Sequence, residues 1–135
     1  MSDTKAPTQR PRSPHLQIYK PMLTMILSIV HRITGVALYV GTILLTWWLI
    51  AAASGPAYYD WVSAFFATFI GRLILFGYTW ALIHHMLGGI RHLIWDTGRG
   101  FDLDTVEFSA RLILLGSIGL TILVWVLGYM YMGKI

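Results

Sequence analysis

With 56% of its 135 residues apolar and only 12% charged, the chain cannot wet its surface all round; soluble domains carry about 25% charged residues. Six acidic residues leave no carboxylate-rich active centre, and the absence of cysteine excludes disulfides, thiolate metal sites and cysteine-held iron–sulfur clusters within this chain. The net charge of +4 sits at the ends of apolar runs and not along one face, which points to a membrane and away from nucleic acid.

Met1 to Pro14 holds three prolines and almost no large apolar side chain, so residues 1–20 read as a flexible N-terminal segment. No apolar run precedes the first span and no Arg-rich amphipathic pattern occurs, so neither a secretory signal nor a transit peptide is expected. Pro21 suits the first turn of a helix. From there the sequence runs through Arg32 into Ile33 to Ala53, which carries no charge. Ser54-Gly55-Pro56 closes this run, and Ser54 to Ala64 reads as a loop containing Asp60. A second apolar run lies between Arg72 and Arg91, followed by Thr97-Gly98-Arg99-Gly100. A third lies between Arg111 and Lys134. Each meets the roughly 20 residues that a bilayer core requires. The expectation is an all-α membrane protein: a three-helix anchor over residues 21–135, with spans near 24–53, 64–95 and 108–133.

Orientation follows from Lys and Arg in the short flanks. Lys5, Arg10, Arg12, Lys20 and Arg32 precede the first span, and Arg91, Arg99 and Arg111 separate the second from the third. The loop Ser54 to Ala64 has no cation, and Lys134 alone follows the third span. The N-terminus and second loop are therefore expected in the cytoplasm. Tyr58, Tyr59, Trp61, Tyr129 and Tyr131 would then form an aromatic belt on the outer side, where Arg72 is an anchor.

Two polar stripes interrupt this apolar sequence. Ser28, His31, Arg32 and Gly35 follow i, i+3, i+4, i+7 spacing and share one side of a helix. Spacing alone leaves open an interfacial role, with Arg32 snorkelling to headgroups, or a functional site. The second helix carries His85, Gly88, Gly89 and His92. His85 lies about 9 Å deeper than Arg91 along the axis, where an unpartnered imidazole is costly. Haem iron would satisfy it, as would interhelical hydrogen bonding, with the glycines serving helix packing. Two glycines beside a histidine also suit a flat group lying against the helix. His84 faces about 100° away from His85, so the two cannot serve the same side of one group.

These residues also resemble a known family. Arg12-Ser13-Pro14-His15-Leu16-Gln17-Ile18-Tyr19, with Ser28-Ile29-Val30-His31-Arg32-Ile33-Thr34-Gly35, is similar to the opening of the cytochrome b subunit of succinate dehydrogenase (complex II). His84-His85-Met86-Leu87-Gly88-Gly89-Ile90-Arg91-His92-Leu93-Ile94-Trp95-Asp96 resembles that family's second motif, H-x-x-x-G-x-R-H-x-x-x-D, with His85 and Gly89 in register and Gly88 additional. The resemblance implies a bundle completed by a second small membrane-anchor subunit, docked to a flavoprotein and an iron–sulfur subunit at a bacterial inner membrane. It implies haem b with His85 as an axial iron ligand, His31 and Arg32 near the haem propionates, and ubiquinone bound by Ser28 and Arg32. The motif does not require a histidine at His84. The second axial ligand is expected on the partner anchor, because His31 reads as too near the surface to reach it. A quinol:fumarate reductase anchor shares these features. A stand-alone b-type electron carrier has no use for Ser28, and a transporter is disfavoured by spans without acidic residues.

Overall fold

The computed structural model describes residues 18–134. The expectations for the flexible segment and for the Arg12 to Gln17 part of the first motif fall on residues 1–17, outside the described residues. Among the described residues there are four helices and no strand: α1 Leu23–Ser54, α2 Pro56–Ala67, α3 Phe69–Asp96 and α4 Leu103–Tyr131. Helices α1, α3 and α4 are long and apolar enough to cross a membrane, with 32, 28 and 29 residues. The fold class is the one the hydropathy implies.

The boundaries differ from the sequence expectation in two places. Ser54 to Ala64 is not a loop. Gly55, at φ 117°, breaks α1 in a backbone conformation that a side chain would strain, and Pro56 then starts α2. The second span begins at Phe69 and not near residue 64. Thr68 is extended, and its hydroxyl accepts from the Gly71 amide at 3.1 Å to cap α3. The third span begins at Leu103, one helical turn and more before residue 108, with Asp104 in the first turn favouring the helix N-terminus.

Helix α3 lies between α1 and α4 and meets both, while α1 and α4 touch less. Many of the buried positions are small or hydroxylated, namely Thr34 and Gly41 on α1, Gly71 and Ala81 on α3, and Ala110, Ser117 and Thr121 on α4, beside the larger Leu27, Ile83, His84 and Ile113. Large apolar side chains point outward, as with Tyr39 at 78% exposed and Leu115 at 69%. Such inversion suits lipid, where no hydrophobic drive pulls large side chains inward and small residues let backbones approach. Helical hydroxyls are satisfied locally, Thr121 donating to the Ser117 carbonyl and Thr46 to the Thr42 carbonyl, each at 2.7 Å. On α2, Val62 is fully buried while Trp61 is exposed, and Trp47 of α1 donates to the Tyr58 hydroxyl at 2.9 Å.

The α1–α3 contact has one point with no slack: a Cβ at Gly41 would run into the Tyr78 ring. Gly41→Leu is expected to cost about 1–3 kcal/mol through overpacking. A lower thermal midpoint of the detergent-solubilised protein would register this, and Tyr78→Ala in the same chain should recover part of it.

Candidate functional site

The two polar stripes meet where α1 crosses α3. His31 and His85 stack with ring centroids 4.0 Å apart and planes 5° from parallel. Each ring lies over a glycine of the opposite helix. A Cβ at Gly35 would come within 3.1 Å of His85 Cε1, and one at Gly88 within 2.6 Å of His31 Nδ1. Gly35 and Gly88 thus admit the imidazoles, and a side chain at either position would push the helices apart.

The tautomer of His85 follows from its partners. Nδ1 lies 3.1 Å from the His31 carbonyl oxygen and 3.3 Å from Thr34 Oγ1. Thr34 spends its own proton on the same carbonyl at 2.9 Å. A carbonyl only accepts, so His85 Nδ1 carries the proton and Nε2 keeps its lone pair. A metal-ligating imidazole is commonly held in this way, the second nitrogen donating to a backbone carbonyl. Gly89, one turn after His85, has nothing within 4 Å of where a Cβ would stand. One oriented imidazole beside an open glycine fits an axial haem ligand. Among the described residues there is no group of three or more His, Asp or Glu able to hold a bare metal ion.

His84 takes the opposite direction, as the helical spacing requires. It is 1% exposed, and its Nδ1 donates to Ser117 Oγ on α4 at 3.2 Å, since the serine proton goes to the Leu114 carbonyl at 3.0 Å. The imidazole is thereby a link between α3 and α4. A cavity of about 330 Å³ lies between the three long helices, lined among others by Ser28, His31, His84, Gly88, Arg91 and His92. Its walls carry three imidazoles and a guanidinium and no carboxylate. Arg91 lies over the Trp95 ring at 4.2 Å.

The residues singled out in the sequence are not all together. Ser28 and His31 line the inner cavity, whereas Arg32 is exposed and lines a neighbouring apolar groove of about 630 Å³ with Val36, Gly77 and Tyr78. His31, expected to be too near the surface to sit across a haem ring, is in contact with His85. It lies directly on that imidazole, because the helices cross there. The stacking is face to face, so the two imidazoles cannot ligate one iron from opposite sides. Gly88 is not merely additional: it makes room for His31. Thr34 and Ser117 were not singled out at all. A hydroxyl inside an apolar helix reads as self-satisfied, and no local pattern marks the partner it finds across the bundle.

Comparison with known proteins identifies the family of the chain. Residues 6–124 match the family described as Succinate dehydrogenase/Fumarate reductase transmembrane subunit. The chain belongs to that family. A succinate dehydrogenase cytochrome b556 subunit of Paracoccus denitrificans is 41% identical over 125 residues, covering 90% of this chain and 94% of that protein. One from Rickettsia prowazekii is 42% identical over 118 residues, covering 87% and 92%. The mitochondrial cytochrome b560 subunit of Sus scrofa is 34% identical over 122 residues, covering 84% and 70%.

The two adjacent glycines of this transmembrane subunit should behave differently. Gly88→Ala must displace His31 and is expected to destabilise the isolated fold by about 1–3 kcal/mol, while Gly89→Ala meets no atom of this chain and should leave that stability within about 0.5 kcal/mol. Thermal unfolding of the two variants in the same detergent makes the comparison.

Proposed function

We propose that this chain is the haem- and quinone-binding membrane anchor of a bacterial succinate:ubiquinone oxidoreductase, set in the inner membrane with its N-terminus in the cytoplasm. The observation that carries this reading is the fixed tautomer of His85, with Nδ1–H on the His31 carbonyl and Nε2 left as a donor. Haem b would be held by His85 Nε2, with His31 and Arg32 at its propionates, and when bound it supplies reversible one-electron storage. A second ligand would come from a partner anchor subunit, since His31 is stacked face to face on His85. Electrons reach the chain from an iron–sulfur subunit, which receives them from a flavoprotein subunit. The names of the relatives support membership of a succinate dehydrogenase complex.

Quinone reduction needs donors at the quinone oxygens, compensation for developing negative charge, and access to water. Ser28 and Arg32 are both exposed one turn apart near the start of α1. The Ser28 hydroxyl donates to a quinone oxygen. The Arg32 guanidinium makes no ion pair among the described residues, so its charge is available to stabilise reduced oxygen. Arg32 borders the outer groove and Ser28 the mouth of the inner cavity, so a quinone between them would lie at the α1 surface, where a docked iron–sulfur subunit would close the site and exclude lipid. Thr34 acts as a positioning residue, holding the carbonyl that orients His85.

Two measurements on the assembled complex test the reading. His85→Ala should abolish the low-spin haem absorbance, because ligation sets that spin state, whereas His84→Ala should retain it. Loss in the His84 variant with retention in the His85 variant would overturn the ligand assignment.

Ser28→Ala removes one hydrogen bond, about 1–3 kcal/mol, which corresponds to a fall of about fivefold to about a hundredfold in quinone turnover. Succinate oxidation with an artificial acceptor upstream of the membrane should not change. Arg32→Leu should lose more, and Arg32→Lys should recover part of it, because an ammonium lacks the guanidinium fork. Equal losses with both acceptors would remove the quinone assignment.

A further inference from the structure

The opposite end of the bundle has a groove that no part of this function uses. It runs between α2, α3 and α4, encloses about 500 Å³, and is lined by Ser63, Arg72, Leu75, Trp125, Gly128 and Lys134 among others. Arg72 stands in the first turn of α3, and Lys134 lies just past the end of α4. Neither makes an ion pair with a described residue, since the one such pair, Arg111 with Glu107, belongs to the start of α4 at the far end. Asp60 is the only acidic side chain among the described residues of α2 and of the adjoining ends of α1, α3 and α4. Ser63 Oγ is buried with no hydrogen-bond partner among the described residues, so the groove also carries a polar atom awaiting one.

We propose that this groove binds one anionic phospholipid of the surrounding bilayer, with its phosphate between Arg72 and Lys134 and an acyl chain along Leu75 and Val124. The chemistry is that of a diacyl phosphate carrying no cation of its own. A guanidinium matches phosphate oxygens with a planar fork, and an ammonium adds a point charge. The polar end of the groove lies at the helix termini, where phosphates lie in a bilayer, and its apolar wall continues toward the middle of the spans. A zwitterionic headgroup would bring an ammonium against two cations with no carboxylate at hand. Gly128 keeps the wall open, with nothing within 4 Å of its Cβ position.

The site depends only on the chain spanning a membrane and stands apart from the quinone reading. Its test uses the assembled complex in mild detergent, titrated with phosphatidylglycerol or phosphatidylcholine and read by native mass spectrometry. Wild type should bind one phosphatidylglycerol in preference to phosphatidylcholine. R72Q/K134Q should weaken it by about thirtyfold, at about fivefold per cation near a membrane surface, while K20Q/R99Q, which neutralises two cations elsewhere, should not. Gly128→Leu should lose the lipid with the charge unchanged. If the double variant fails to assemble, K134Q alone decides, with a loss of about fivefold expected. Equal binding of the two lipids, or undiminished phosphatidylglycerol binding in R72Q/K134Q, would overturn the proposal. So would a photo-crosslinker at Ser63 that captures a partner subunit in place of lipid.

Discussion

Two imidazoles, each lying over a glycine of the facing helix, set the crossing of α1 and α3, and the rest of the bundle is arranged around that contact. His85 sits over Gly35 and His31 over Gly88. In lipid an imidazole without a partner is expensive, so the crossing must satisfy its nitrogens as well as its volume. The His31 carbonyl does so for His85 by accepting two hydrogen bonds, from His85 Nδ1 and Thr34 Oγ1. His31 itself is served less completely, with Nδ1 buried and unpartnered among the described residues. Such an atom costs about 1–3 kcal/mol, and the stacking with His85 is what the helix pair gains in exchange.

Interhelical hydrogen bonds within membranes average only about 0.6 kcal/mol. The His85–His31 and His84–Ser117 links are therefore too weak to hold three helices together. Close packing of small residues does that: Thr34, Gly41, Ala81, Ala110 and Thr121 are all buried. What the hydrogen bonds contribute is direction. They turn adjacent histidines of one helix to opposite neighbours, His84 to α4 and His85 to α1, and fix which nitrogen of each carries the proton. A helix with two chemical faces needs no loop to build a site.

The three spans were legible because charge-free length is a strong signal. Helix α2 was not, since Tyr58, Tyr59 and Trp61 read as an interfacial belt on a loop and twelve residues offer too short a window for periodicity. At the site, His85 stood out through the spacing of His85, Gly89 and His92, a local pattern along one helix. Thr34 and Ser117 did not, and Gly88 stood out only as a small residue beside the histidine, because their roles depend on which residue crosses them from another helix. Gly88 shows the difference most clearly. Adjacent to Gly89 and identical in sequence terms, it faces the packed side of α3, and Gly89 faces open space. The step of about 100° between helical neighbours separates them.

That same packing constrains where a macrocycle on His85 can lie. The buried positions combine small residues such as Thr34, Ala81, Ser117 and Thr121 with Leu27, Ile83, His84 and Ile113, which leaves little room to enclose a large flat group among the helices. The inner cavity, at about 330 Å³, is at the lower limit of small-molecule pockets, which run from about 300 to 1,000 Å³. On the proposed reading a haem would be held at the outer side of the α1–α3 pair, where Arg32 borders an open apolar groove of about 630 Å³. A group lying there is covered on one face only. The other face needs a second apolar wall and a second donor, and both come most economically from one partner helix. On that reading a partner anchor would supply what this chain's own thin core does not.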